Sequence, residues 1–193
     1  RRLARTRLPS DPLDVSLPSG ADEWPVSLRE ELLASLKPAG VLVPIMDRPG
    51  GLSVLLTQRA AALKHHAGQI AFPGGRMEPH DRDLRDTALR ETEEEVGISP
   101  RHVSVIGYLE SLPTMTGFAV TPVVGLVQHT AELMIDRTEV EQAFEVPLKF
   151  LLDERNDLAG EREFRGRKLP MIEMHYEGRR IWGATAYMLL RLR

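Results

Sequence analysis

The stretch from Asp83 to Ile98, DLRDTALRETEEEVGI, limits what this chain can fold into more than any other. It reads as one helix, stopped by Gly97 near its C-terminus. At 3.6 residues per turn, Glu91, Glu94 and Glu95 occupy i, i+3 and i+4 and share an arc of about 100°, while Glu93 points nearly the other way. Leu84 and Ala88 lie on the same side one and two turns earlier. The face therefore begins apolar and ends acidic, unlike a solvated stripe, which is polar throughout. A helix of this kind must lie against a protein body and carry its carboxylates to the edge of that contact.

The rest of the chain supplies strands for such a body. After the turn KPAG, the runs VLVPIM and LSVLLTQR are joined by DRPGG, the signature of a hairpin. GQIAFPGG reads as a third short strand ending in the pair Gly74–Gly75. From Val103 the chain is β-like through VSVIGYLESL and VTPVVGLVQ, whereas EVEQAFEVPLKFLLD mixes a short helix with a loop. At the end, Trp182, Thr185, Ala186, Leu189 and Leu190 fall at i, i+3, i+4, i+7 and i+8, the spacing of an amphipathic helix. Trp182 is most simply core. Without a regular βα repeat, the expected class is α+β, a mixed sheet covered by helices. Residues 1–38 read as a solvated arm with one short helix in VSLREELLASL, and residues 39–193 as the domain proper.

Composition narrows the chemistry. A chain of 193 residues without cysteine suits one domain with a single sizeable core and has no disulfide, thiolate site or cysteine nucleophile. Any metal must then be held by oxygen or imidazole. A net charge of −3 proposes neither nucleic acid nor an acidic membrane as partner. The apolar stretches are broken by proline and fall short of the roughly 18 residues of a membrane span. RRLARTRLPSDPLD is basic but lacks the apolar core of a signal peptide, so the cytoplasm is the expected compartment. A small-molecule partner is expected, and a homodimer is left open.

Several ionised carboxylates at a partly buried edge are costly unless a cation compensates them, and an arginine or a divalent metal does so most cheaply. Arg90 stands next to Glu91 in sequence. Carboxylate-rich sites select hard ions, and Mg²⁺ prefers a few carboxylates together with waters and phosphate oxygens. The spacing thus suggests phosphate chemistry, against the alternative of a plain surface charge run. Gly74 and Gly75 permit close approach of backbone to a ligand, or simply make a turn.

Taken whole, GGRMEPHDRDLRDTALRETEEEVGI resembles the Nudix box: a glycine, five residues, an acid, a spacer, then Arg-Glu-apolar-any-Glu-Glu-any-Gly-apolar. Gly75 begins it, Asp81 takes the first acid position, and Arg90–Ile98 is its core. Asp81 replaces the usual glutamate, Thr92 stands where an aliphatic residue is commoner, and the spacer has eight residues rather than seven. The preceding LLTQRAAALKHHAGQIAFPGG resembles the additional signature of the coenzyme A pyrophosphatase branch, with Ala60 for serine and Lys64 for arginine. SLPTMTGF, EVPLKFLL and RIWGATAYMLL are also similar to that branch.

The resemblance implies a Nudix fold, a mixed β-sheet sandwiched between helices (α/β/α). It also implies metal-dependent cleavage of coenzyme A into 3′,5′-ADP and 4′-phosphopantetheine. Glu91, Glu94 and Glu95 are implied to hold Mg²⁺ or Mn²⁺, with Glu91 as candidate general base and Arg90 orienting it. Glu139 resembles a position that supplies a further acid; its alternative is a helix N-terminal glutamate. Arg59 and Lys64 are candidates to meet the phosphates, one of His65 and His66, taken as His66, to touch substrate, and Phe118 to shape a pocket. Two alternatives stay open: the same fold acting on ADP-ribose, a dinucleoside polyphosphate or NADH, and a non-catalytic nucleotide-binding regulator.

Overall fold

A computed structural model describes residues 3–18, 20–21, 24–63, 66–164 and 167–193. The expected hairpin is present as β1 (Lys37–Arg48) and β2 (Gly51–Arg59), antiparallel in register Ile45↔Val54. Toward its start β1 leaves β2 and pairs with another strand, a fork that spans Pro44, which has no N–H to give to a ladder.

GQIAFPGG fills that fork as two strands rather than one. β3 (Ile70–Ala71) continues along β2, and β4 (Gly74–Arg76) pairs with β1 at Gly40↔Gly75. The change of partner falls at Phe72–Pro73, where the Pro73 carbonyl accepts from the Leu42 N–H at 2.9 Å.

β5 (Val103–Tyr108), the short β6 (Leu112–Pro113) and β7 (Phe118–Val127) follow. β7 runs parallel to β1 from Lys37↔Phe118 to Met46↔Val127, and the other pairings of this sheet are antiparallel, so the sheet is mixed. EVEQAFEVPLKFLLD is not a short helix with a loop. Its first part is β8 (Val140–Pro147), paired along β2 from Arg59↔Val140 to Ser53↔Pro147, and only Leu148–Leu151 is helical, as α3. Valine and phenylalanine fit a pleated, half-buried surface, and β2 offers that surface only in the assembled fold.

A second, three-stranded sheet, absent from the reading of the sequence, is built from β9 (Leu158–Phe164), β10 (Arg167–Tyr176) and β11 (Arg179–Trp182). The chain ends in α4 (Gly183–Leu192), whose Thr185, Ala186 and Leu189 are buried as their spacing predicts. Trp182 precedes this helix and is only half-buried, so it is not core.

Alternation along β1 divides the core in two. Leu42 meets Ala88 and Val123 under the acidic helix α2 (Leu84–Val96), while Ala39, Val43 and Ile45 face Leu151, Met174, Ile181, Met188 and Leu189 on the other side. The result is the expected sandwich, with α2 on one face of the sheet and α3 and α4 on the other. The arm is not simply solvated. Its short helix is α1 (Val26–Leu33), and Thr6 Oγ1 accepts from the Tyr108 N–H at 2.7 Å, so the stretch from Leu3 to Thr6 lies along the free edge of β5.

α2 lies so close to β1 that a Cβ on Gly40 would stand 2.3 Å from the Leu84 carbonyl oxygen. Gly40→Ala must therefore push the helix away from the strand, with an expected cost of about 1–3 kcal/mol. A urea unfolding midpoint equal to that of the parent would contradict this close packing.

Candidate active site

Local rules set α2 at both ends. The Asp83 side chain accepts from the Asp86 N–H at 2.9 Å, and Gly97 takes the left-handed conformation at φ 75°. The three expected carboxylates are not equivalent on this helix. Glu95 is 3% exposed and Glu91 16%, but Glu94 is 58% exposed. Thr92 explains the difference, because it is buried and rotates the buried arc toward its own side, away from Glu94. A hydroxyl is tolerated there because Thr92 Oγ1 donates to the Ala88 carbonyl at 2.6 Å.

Arg90 is the hub of the acidic end. Its Nε and Nη2 donate to the two oxygens of Asp81 at 2.9 and 3.0 Å, and its Nη1 to Glu91 at 2.8 Å and Glu94 at 3.0 Å. Asp81 also accepts from the Glu78 N–H and Thr87 Oγ1, both at 2.9 Å. The Arg90 guanidinium, helped by these two donors, holds the Asp81 carboxyl well below the usual carboxylate range. In this chain the first acid of the box thus anchors the arginine that orients Glu91.

β4 passes directly over Glu91, and a Cβ on Gly75 would lie 2.5 Å from the Glu91 carboxyl carbon. The neighbouring Gly74 N–H lies near the Glu95 carboxyl and lowers its pKa. From the other side comes the end of β2, where Arg59 Nη1 stands 3.7 Å from Glu95 Oε1, and the buried Arg59 Nε has no hydrogen-bond partner among the described residues.

Glu139 does not start a helix; it stands in a turn just before β8, so the macrodipole alternative falls away. Its carbonyl accepts from the Ala60 N–H at 2.8 Å. Its negative charge helps to raise the pKa of both Glu91 and Glu95. The preceding loop is tied to the end of α2 by the Met134 N–H on the Val96 carbonyl and the Asp136 N–H on the Glu95 carbonyl, at 2.9 and 3.0 Å. No local sequence signal announces these ties.

Burial pushes the Glu95 carboxyl up to about 8; Arg59 and the Gly74 N–H oppose the rise, and Glu139 and Glu91 add to it. Glu91 is also raised, by burial first, with Arg90 pulling the other way. Two carboxylates in one partly dry site therefore remain short of positive charge, and oxygen donors in that condition suit a hard divalent cation. Among the described residues, no three acidic or histidine side chains already converge into a metal-holding group, since Glu94 is engaged by Arg90.

Other expected site residues are placed differently. Lys64 and His65 lie outside the described residues. His66 is exposed at φ 59°, with Nδ1 2.7 Å from Gln69 Oε1, and is turned toward its own loop. Phe118 packs against the core on the sheet face opposite α2 and is not brought to the acidic residues. Glu91, Glu95, Arg59, Gly74 and Gly75 are brought together, with Arg90 and Glu94 at the exposed margin.

Comparisons with known proteins show the family. The NUDIX domain model matches residues 36–165. The chain belongs to the Nudix hydrolase family. It is 41% identical over 170 residues to an uncharacterised Nudix hydrolase, NudL, of Pectobacterium atrosepticum, covering 84% of this chain and 87% of that protein. It is 42% identical over 154 residues to the uncharacterised NudL of Yersinia enterocolitica, covering 80% and 78%. Among solved structures, an Ap4A hydrolase of C. elegans in a binary complex superposes with TM-score 0.50 at 22% identity, covering 57% of this chain and 80% of that one, a likeness of fold. Nudix hydrolases generally use divalent metal ions such as Mg²⁺ or Mn²⁺ and act on small nucleotide substrates. No helix among the described residues is long and apolar enough to cross a membrane.

Proposed function

We propose that this chain hydrolyses the pyrophosphate linkage of coenzyme A, releasing 3′,5′-ADP and 4′-phosphopantetheine. One observation carries the reading. Two parts of the segment that resembles the coenzyme A pyrophosphatase signature border the acidic site, Arg59 against Glu95 and, at its end, Gly75 against Glu91.

Glu95, Glu91 and Glu94 are the residues to hold Mg²⁺ or Mn²⁺, Glu94 on release from Arg90. The bound ion supplies charge neutralisation at the phosphates and a lowered pKa for the attacking water. The chain's own residues do the remainder. Arg59 presents a planar fork to a phosphate, and Gly74 and Gly75 let that phosphate lie against backbone. Glu91, oriented by Arg90, accepts the proton of the water whose oxygen attacks phosphorus as the anhydride P–O bond breaks. Glu139 places a further acid beside both glutamates.

The test is to incubate the protein with coenzyme A and Mg²⁺ or Mn²⁺ and to identify the products by mass, with Glu94→Gln as control. The two predicted products, lost in the variant, are the expected outcome. Intact coenzyme A under both metals, with ADP-ribose or a dinucleoside polyphosphate cut instead, overturns the substrate and keeps the hydrolase.

A further inference from the structure

On the sheet face opposite α2, a cleft of about 490 Å³ opens between the end of β2, the residues leading into β3, and the β10–β11 hairpin. Gln58, Gly68, Gln69, Gln142, Arg179 and Trp182 contribute to its wall. The hairpin turns through Glu177 and Gly178 alone, at φ 48° and 76°, the two positive angles that a tight turn between twisted strands requires. Arg179, the first residue of β11, is thereby set at the cleft.

The Arg179 guanidinium lies over the Phe144 ring, 4.4 Å from its centroid. Its polar partners are poor. Nη2 is 3.4 Å from Gln142 Oε1, Nη1 is 3.5 Å from Glu177 Oε2, and the buried Nε has no hydrogen-bond partner among the described residues. A guanidinium carries five N–H donors, so most of this oriented fork is unused. Arg180 next to it differs, because its Nε donates to Glu173 at 2.7 Å. Gln142 Nε2 donates to Gln58 Oε1 and completes a polar floor.

This cleft and the acidic site meet at one residue. The Arg59 N–H donates to the Gln69 carbonyl and the Gly68 N–H to the Arg59 carbonyl, both at 3.0 Å, so the cleft wall hangs on the backbone of Arg59. Consecutive strand residues point to opposite faces, which turns the Arg59 side chain to Glu95 and that of Gln58 to the cleft. Adjacent residues at this end of β2 thus border the two sites.

We propose that the Arg179 cleft binds a phosphomonoester of the substrate remote from the anhydride that is cut. Resting on the coenzyme A reading above, that group is the 3′-phosphate. A phosphomonoester carries about −1.5 to −2 charges near pH 7 and three strong acceptor oxygens, which match a planar fork with free donors; a sugar hydroxyl at the same place does not. Glu177, 66% exposed at the rim, is the acid it displaces from Arg179.

The experiment is calorimetric binding of 3′,5′-ADP and of 5′-AMP to the full chain in EDTA, repeated with Arg179→Gln, Arg179→Lys and Glu177→Gln. Coenzyme A and its 3′-dephospho form are compared kinetically in parallel. The parent is expected to prefer 3′,5′-ADP by about 10-fold or more. That preference disappears in Arg179→Gln, survives in part in Arg179→Lys, and widens in Glu177→Gln. A purely structural role for Arg179, packed on Phe144, moves both ligands together and leaves the preference intact. Equal affinities in the parent, or an undiminished preference in Arg179→Gln, overturn the subsite. Hydrolysis of coenzyme A without such a preference keeps the reaction and removes the subsite. The preference without hydrolysis does the reverse.

Discussion

Glu95→Gln is expected to lower hydrolysis by about 10²–10³-fold and, in the metal-free protein, to remove a loss of stability at alkaline pH. Both effects have one origin, a buried carboxyl group whose nearby Arg59 offsets only part of the cost of burial. Its pKa rises from 4.5 in the unfolded chain to about 8 in the fold, so the folded state binds this proton more tightly. The stability this contributes is fully present below pH 4.5 and is lost as pH rises through about 8. Glutamine does not ionise and escapes that loss. In EDTA, the difference in thermal midpoint between variant and parent should therefore grow in the variant's favour across this window. Saturating Mg²⁺ or Mn²⁺ should return the parent's stability at pH 8 and move the variant little. Parallel pH profiles for the two proteins would sink the argument that Glu95 is short of positive charge.

Arg90→Leu should be the most destabilising single change on the acidic helix. It strips Asp81, whose side chain is 3% exposed, of both its charged hydrogen bonds and leaves a buried anion with the Glu78 N–H, the Thr87 hydroxyl and the exposed His80 ring 3.7 Å away. Breaking a buried pair from one side costs about 3–5 kcal/mol, more than the pair itself contributes. Asp81→Asn in the same protein should recover part of the loss, because the remaining partner no longer carries an unpaired charge. Chemical denaturation of the parent, the two single variants and the double variant measures this directly. A loss under about 1 kcal/mol for Arg90→Leu would mean that the network is an exposed one of little value.

The elements that were legible in the sequence are those whose cause is local. The β1–β2 hairpin follows from two apolar runs about a glycine- and proline-rich turn, and α2 from its periodicity and from Gly97. The amphipathic spacing of Thr185, Ala186 and Leu189 likewise sufficed for α4. β8 was not legible, because valine, phenylalanine and glutamate between Val140 and Pro147 suit either a short helix or a strand until β2 lies beside them. The β9–β11 sheet escaped for the same reason, although the tight turn at Glu177–Gly178 carried a signal in its glycine.

By itself the sequence determined the class of the fold, the acidic helix, the glycine pair and the arginine at the head of the glutamates, since spacing and covalent geometry decide these within a few turns of chain. Only the tertiary structure decided which glutamate is buried. Helix phase against β1 placed Glu95 inside and Glu94 outside, a distinction of one residue that depends on Thr92 and Gly40 meeting their neighbours. It decided, too, that Glu139 reaches Glu91 and Glu95 from more than 40 residues away, and that Arg179 faces a cleft backed by Phe144. Such juxtapositions arise from long-range packing between distant segments, and charge burial, which sets their chemistry, exists only once that packing has formed.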